Sequence, residues 1–571
     1  MKKIIILLGL IVTTFSSCND YIEEESLSNV PADATYKTAS GFQLLVNSNY
    51  ATLKDIYGGA PWLFCAGTDM YSEGPTAEPA GLSQYGQLIP SSEGVEQLYL
   101  TCYKSIQSVN KTIYYSTITE QNANIPVLVG EAKFLRANAY FLLVQTYGGV
   151  PIVDENITTA VLAFDRNTAE EVYAHIIKDL EESLESVGTA PYATTGKVNK
   201  RAVQDLLAKV YLTRGYETFG KATDFAKAAA YADEAIAGQA LNLPYTDLFK
   251  PTNDLNAETI FSVQYDKAST STNPSTLGNS QFYYFSSYLG GSELGTPLRS
   301  KNLIATNYAL GLFEKGDTRW EGTFMTEILE GPETQANGTT KTILYYPYYR
   351  SKAPATLKVK HFYEPKWFTP ADRTAWETAN ASRIAATGFI YHPWGKYSAE
   401  FTQGSDPNAT KDFFGIPVKK FDDPEVTTPT GTATNNLVST RDIIVSRLGE
   451  TYLIAAEAYF KSGNSSTALA RLNEVRRRAG GGVAGVIPVL TSIDINTILD
   501  ESGRELLGEY HRWFDLKRTG TLIERTVLYN PKIHSANVFN GVGGNLKILR
   551  PIPQLAIDLN QNKNFPQNPA Y

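Results

Sequence analysis

Cysteine is nearly missing from this chain of 571 residues: there are three, at Cys18, Cys65 and Cys102. So few thiols cannot staple a small scaffold, so a core must hold the fold; Cys65 and Cys102 either bridge each other or stand as buried thiols. Histidine is also sparse, with His175, His361, His392, His511 and His534 scattered singly. No His-Glu-x-x-His or other metal-ligand spacing occurs, so no metal is expected. Positive charge is short as well, since the net charge is −8. The one basic run, Arg476-Arg477-Arg478, falls at a helix end, where cations suit the helix dipole. Nucleic acid is therefore excluded as a partner. Long apolar runs are lacking: Ile4 to Val12 is far shorter than the roughly 20 residues a spanning helix needs. Catalytic signatures are missing too. There is no G-x-S-x-G and no phosphate loop, "TTGKV" lacks the flanking residues of one, and Ser108-x-x-Lys111 has no companion motifs. The chain reads as a non-enzyme without a cofactor.

What is present begins with Lys2 and Lys3, the short apolar run, and Phe15-Ser16-Ser17 ahead of Cys18. This order describes an export leader over residues 1–17. A cysteine at that point resembles the bacterial lipobox, whose thiol is diacylated and whose amine is acylated after cleavage; two or more chains anchor stably where one does not. Cys18 is then the lipidation site, followed by the acids Asp20 and Glu23 to Glu25. Aromatic residues make up 12% of the chain, with Tyr 35, Phe 25 and Trp 6, and many sit in Gly/Ser/Asn-rich stretches. Exposed rings in loops suit stacking on a ligand.

Helical periodicity is clear over Leu98 to Ile118, Val129 to Tyr147, Thr168 to Ser186 with Thr168 as cap, Lys200 to Gly215 and Phe225 to Ala237. It returns at Ile443 to Lys461, Ser466 to Arg478 and Ile498 to Arg518, after which the chain ends in loops. Residues 241–440 are irregular, with β-like pieces such as Thr259 to Val263. Ala137-x-x-Tyr140, Ala208-x-x-Tyr211 and Ala456-x-x-Tyr459 each put a small residue and a tyrosine on the first helix of a pair. Gly463 and Ala468-x-x-x-Leu472 complete the last pair. The pattern is that of tetratricopeptide-like helix pairs, favoured over a simple bundle.

Four stretches then resemble the SusD/RagB nutrient-binding lipoproteins of the Gram-negative outer membrane: "GEAKFLRANAYFLLVQTYGGVPIV" (Gly130 to Val153), "RLGETYLIAAEAYFKSGNSSTALARLNEVRRRAG" (Arg447 to Gly480), "ILDESGRELLGEYHRWFDLKRTG" (Ile498 to Gly520) and "LRPIPQLAIDLNQNKNFPQNPAY" (Leu549 to Tyr571). The resemblance runs along the whole chain, lipobox included. It departs at Ala570-Tyr571, where the family usually has Gly-Tyr, and in the central loops, which do not align. It implies a mainly α fold, with tetratricopeptide-like helix pairs as scaffold and a large loop-rich region with few short strands. It also implies one SusD-like domain over 18–571, divided at about 240 and 440 into an N-terminal helical part, a loop-rich ligand-binding part and a C-terminal helical part.

The function implied is capture of oligo- or polysaccharide at the cell exterior and delivery to a SusC-like TonB-dependent transporter, with Cys18 set in outer-membrane lipid and the acids behind it resembling a surface-export signal. Peptide capture is the alternative, and a glycan hydrolase or a pure protein scaffold stands further off. Glycan binding needs ring faces plus a few hydrogen-bonding groups. By region, the candidates are Trp62, Asp69, Tyr71, Glu73 and Tyr85 in the loop Tyr57 to Pro90, and Tyr283, Tyr284 and Tyr288 in "SQFYYFSSYLGGSE". Tyr345 to Tyr349, Trp367 and Trp394 are secondary. Asp317 and Arg319 beside Trp320 read as a structural ion pair. Glu501, Glu505 and Glu509, on one helical face with Arg504, Arg512 and Arg518, read as an ion-paired scaffold rather than a catalytic pair of carboxylates.

Overall fold

The computed structural model describes residues 32–73, 80–266, 268, 278–285, 303–334, 338–345, 357–384, 388–395, 397, 415–423 and 439–571. The expected leader over residues 1–17, Cys18, Asp20 and Glu23 to Glu25 lie outside them.

Helices dominate. The first part of the chain forms α1 (Ala39–Ala51), α2 (Leu53–Tyr57), the single turn α3 (Trp62–Cys65), α4 (Val95–Ser116), α5 (Ile125–Tyr147), α6 (Ala169–Ser186), α7 (Lys200–Tyr216) and α8 (Asp224–Ile236). Each predicted helix is found, with ends within a few residues. Thr168 caps α6 as expected: its hydroxyl accepts from the Glu171 N–H while Glu171 reaches back to the Thr168 N–H, which satisfies two otherwise orphaned donors. From Phe134 to Tyr147 every residue of α5 is buried, the mark of a helix enclosed on all sides. It lies between α4 and α6. Arg136 of α5 is tied to Asp179 of α6 by two bonds of 2.7 and 2.8 Å and to Asn110 of α4 by one of 2.8 Å.

The last part forms α9 (Leu448–Lys461), α10 (Ser465–Ala479), α11 (Ile495–Glu505) and α12 (Arg512–Arg518). Helices α5 and α6, α7 and α8, and α9 and α10 pack as pairs, and α8 packs on α9 to join the last two. Ala137, Ala208 and Ala456 are fully buried on the first helix of each pair, where a small side chain lets the neighbouring helix come close.

Strands are few and short among the described residues. β1 (Tyr71–Glu73) pairs antiparallel with β3 (Leu303–Ala305), and β2 (Thr259–Val263) with β8 (Ile443–Arg447). β4 (Glu327–Thr334), β5 (Thr340–Tyr345), β6 (Lys358–Tyr363) and β7 (Ile390–His392) form a four-stranded sheet in the order β5-β4-β6-β7.

Three expectations are corrected. Ile443 to Arg447 is strand, not the start of a helix; its Ile-Ile-Val run pairs with a strand some 180 residues earlier in sequence, and pairing overrides the helical pattern downstream. The block Ile498 to Arg518 is two helices, because Gly508 (φ +82°) and Tyr510 (φ +68°) turn the chain left-handed between them. The end is not only loops: Leu522–Tyr529 and Gln554–Leu559 are helical. Cys65 and Cys102 form no disulfide and are buried.

The glutamates of that block centre a buried ion network. Glu501 meets Arg319 (2.6 Å), Arg476 (2.9 Å) and Arg504 (2.8 Å). Glu505 meets Arg319 (3.2 Å), Arg447 (2.5 Å) and Arg478. Glu509 meets Arg447 (2.6 Å) and Lys420. Asp317 holds Arg319 at 2.8 Å with both side chains wholly buried, as the sequence implied. The grouping of the other arginines differs from expectation: Arg512 belongs to Asp69 (2.6 Å) and Arg518 to Glu457 (2.7 Å) and Asp515 (2.9 Å). Burial alone would raise the Glu501 carboxyl, but the pull of Arg319, Arg504 and Arg476 brings it down to about 2. Glu505 is likewise held low against burial, by Arg478, Arg447 and Arg319.

Removing one member of a buried pair strands its partners, so Glu505→Ala is expected to lower stability by about 3–5 kcal/mol, whereas loss of the exposed Lys104–Asp55 pair (2.6 Å) costs less than about 1 kcal/mol. Denaturant midpoints check both. A carboxylate held low in the folded state stabilises above its unfolded value and loses that contribution as it protonates. Unfolding is therefore expected to ease as pH falls from roughly 4.5 to 2, the span between a free glutamate and Glu501; a flat melting temperature across that span contradicts the assignment.

Candidate functional site

The two stretches picked out by their rings meet in space. The sequence Gly58-Gly59-Ala60-Pro61 ends α2 and starts the turn α3, and the Gly58 carbonyl accepts from the Ser280 N–H at 3.1 Å. Ser280 opens a second short turn, Gln281–Tyr284. Across this junction the Trp62 and Tyr284 rings pack edge to face, 4.9 Å between centroids and 73° between planes. Tyr283 stands at right angles to Tyr284, 5.1 Å away. Both tyrosines are half-buried, and Trp62 is 7% exposed.

Beneath them lies a second aromatic layer. Phe64, two residues after Trp62, stacks flat on Tyr510 (4.7 Å, 2°), and Phe285 contacts Tyr71 (5.2 Å) and Phe421 (5.1 Å). Gly508 lets this layer close, since a Cβ there would lie 2.5 Å from the Phe421 ring. Burial raises the Tyr284 phenol, and Tyr283 and then Glu93 add to that shift. Glu93, exposed in the turn before α4, is close enough for its charge to act on the Tyr284 phenol. The sequence reading missed it because it lies three residues past the stretch considered; "SSEG" carries a turn signal but no ring.

Three candidates are not at this surface, and their assignment to a ligand site is corrected. Asp69 is fully buried and receives Arg512 through two bonds (2.7 and 2.6 Å) and Arg525 through one of 3.0 Å. An acid in a Gly-rich loop reads as exposed, but its partners stand 443 and 456 residues later. Tyr71 is 2% exposed within β1. Tyr85 is fully buried: its hydroxyl donates to the Gly67 carbonyl (2.8 Å) and accepts from the Trp513 indole (3.2 Å), with the Arg550 guanidinium 5.0 Å from its ring. The Glu73 side chain and Tyr288 lie outside the described residues. Of the secondary candidates, Trp367 packs on Trp320 (5.7 Å) and Trp394 on Tyr397 (5.8 Å); residues 346–349 of the tyrosine run lie outside the described residues.

Among the described residues no group of three or more His, Cys, Asp or Glu is placed to hold a metal ion. Two histidines do meet: His361 Nδ1 and His392 Nε2 are 3.0 Å apart. Burial pushes them down to about 3 and about 4, so they stay neutral at ordinary pH. What the junction offers is recognition chemistry. Two crossed phenol rings, backed by the indole, present π faces to C–H groups, and their hydroxyls offer hydrogen bonds.

The chain is similar to known proteins along its length. A model described as "SusD family" matches residues 257–571, more than half of the chain, and one described as "Starch-binding associating with outer membrane" matches 20–212. A SusD-like protein P2 from Formosa agariphila is 24% identical over 593 residues, covering 100% of both chains. The starch-binding protein SusD of Bacteroides thetaiotaomicron is 25% identical over 499 residues, covering 84% of this chain and 79% of its own. Among solved structures, a laminarin-binding SusD-like protein superposes with a TM-score of 0.65 at 22% identity, covering 94% of this chain and all of its own.

The division between surface and core rings is testable by stability. Tyr85→Phe leaves the buried Trp513 N–H without its acceptor and is expected to cost about 1–3 kcal/mol in chemical denaturation. Tyr283→Ala, at a half-buried position, is expected to leave the midpoint almost unmoved.

Proposed function

This chain belongs to the SusD family, and on that premise we propose that it captures glycans at the outer face of the outer membrane and passes them uncleaved to a SusC-like TonB-dependent transporter. The observation that carries the reading is the junction of Trp62, Tyr283 and Tyr284, where two stretches more than 200 residues apart set the half-buried Tyr283 and Tyr284 rings against a largely buried indole over a packed aromatic floor. A sugar ring has C–H faces that stack on such rings, and its hydroxyls need partners to replace lost water; the phenols and Glu93 supply them. The rings of the floor are packed against one another before any ligand arrives, which limits the ordering that binding requires. Relatives named for starch and for laminarin binding support a glycan as the ligand class.

Cys18 is the proposed anchor, with the acids at Asp20 and Glu23 to Glu25 as the surface-export signal. Among the described residues no helix is long and apolar enough to cross a membrane, and acylation at Cys18 supplies the tether.

The test is affinity electrophoresis against starch, laminarin and other polysaccharides, with assay of released reducing sugar and a peptide library as a control. At least one glycan is expected to retard the protein, with no sugar released. Trp62→Ala and Tyr284→Ala are each expected to weaken binding about tenfold or more, about 1.4 kcal/mol. Unchanged mobility in both variants rejects the ring site, and retention of peptides but of no glycan rejects the ligand class. In cells, Cys18→Ala is expected to abolish protease-accessible surface display.

A further inference from the structure

An open groove of about 550 Å³ lies beside α1 and the start of α2. Its walls come from α1, the start of α2, the loop after the short helix Tyr192–Thr195, and the end of β2. None of its lining residues belongs to the ring cluster.

Its shape depends on one close approach. Gly196 adopts φ +63°, and a Cβ there would sit 2.5–3.0 Å from the Gln264 amide. Without a side chain at that position the loop closes over Gln264, whose Nε2 donates to the Gly196 carbonyl (2.7 Å) and to the Tyr192 hydroxyl (3.0 Å). The Gln264 carbonyl oxygen is thereby held in a fixed direction. On the facing wall Asn47 Oδ1 accepts from Gln43 (3.2 Å) and from Lys197 (2.7 Å), which orients the Asn47 NH₂ group for another acceptor. Tyr50 is pinned by donating to buried Glu131 (2.7 Å) and accepting from the Val198 N–H (3.1 Å).

The charged side chains that line it are Lys54 and Lys197, with no Asp or Glu among them; behind the lining, Glu131 is bonded by Tyr50 and feels the charge of Lys197, and Asp442 accepts from Ser262 and from the Tyr265 N–H. Neither ammonium is in a salt bridge among the described residues; each rests over a ring instead, Lys197 4.4 Å from the Tyr50 centroid and Lys54 4.9 Å from that of Tyr265. A lysine over a ring keeps its stem packed while its N–H groups stay open to an anion. Amides fixed in orientation with two such ammoniums match a sugar that carries both hydroxyls and an acid group.

We propose that this groove is a second binding site, for an anionic saccharide unit bearing a carboxylate or a sulfate, with Lys54 and Lys197 facing the charge and Gln43, Asn47 and Gln264 the hydroxyls. It goes beyond the capture site above and stands on separate residues.

The test is calorimetric titration of the full mature protein with three probes: an oligogalacturonate, a sulfated carrageenan oligosaccharide and a neutral laminarin oligosaccharide. At least one anionic probe is expected to bind, with an affinity that falls as salt is raised. The Lys54→Ala/Lys197→Ala variant is expected to bind that probe at least about tenfold more weakly while leaving the neutral probe unchanged. Should that variant melt early, Lys54→Gln and Lys197→Gln, which keep the stems over their rings, carry the same readout. The two anionic probes separate carboxylate from sulfate as the preferred group. The proposal is overturned if neither anionic probe binds, or if the lysine variants bind it as the parent does. Neutral-probe binding lost only in Tyr284→Ala reports on the ring junction, so failure of one site is told apart from failure of the other.

Discussion

Glu505 accepts from Arg319, Arg447 and Arg478, which come from the middle of the chain, from the end of β8 and from α10, in a place where all four side chains are 2% exposed or less. Around it the pairs continue until six carboxylates (Glu258, Glu314, Asp317, Glu501, Glu505, Glu509) face six cations (Arg319, Lys420, Arg447, Arg476, Arg478, Arg504). Balance is what makes such a cluster tolerable, since a buried charge without its partner is strongly destabilising. The same condition makes the arrangement exacting. The irregular middle reaches the helical scaffold through Arg319 and Lys420, so it either docks with every pair made or leaves ions stranded.

The ring junction depends on this knot indirectly. Glu509 and Tyr510 are neighbours on the left-handed turn between α11 and α12, and the turn that sends Glu509 toward Arg447 and Lys420 sets the Tyr510 ring under Phe64. Two residues further on, Arg512 takes Asp69, whose carbonyl accepts from Thr306 next to β3. The segment carrying Trp62, Phe64 and Asp69 is thus held at both ends by the C-terminal helices, and the surface rings ride on a floor that has little freedom to shift.

Much of the scaffold was legible in the sequence because its causes are local. Periodicity, the Thr168 cap and the Ala-x-x-Tyr spacing act within one or two helical turns, and the helices they announced are present. What failed to read depends on distant partners. Ile443 to Arg447 is a strand only because Thr259 to Val263 lies beside it, and Asp69 is a core residue only because Arg512 and Arg525 reach it. Aromatic loops carried the same ambiguity: Tyr71, Tyr85, Tyr283 and Tyr284 look alike as residues in irregular context, yet two fill the core and two reach the surface. Position relative to a floor built from the far end of the chain decides between those outcomes, and no local pattern encodes it.

The placement of charge follows a related logic. A chain with net charge −8 spends many of its arginines inside, against carboxylates that bind them within about 3 Å. Long-range fields from such closed pairs largely cancel, so the potential at the surface is set by the few groups left without a partner ion. Lys54 and Lys197 are of that kind, set over tyrosine rings in a groove whose nearest carboxylates, Glu131 and Asp442, stand behind its lining. Locally, then, an acidic protein presents a cationic face whose sign its overall composition hides. At the ring junction the neighbouring charge is of the other sign, since Glu93 acts on the Tyr284 phenol. The two surfaces therefore differ in the chemistry they can select, one by stacking and one by charge, on a frame that holds both still.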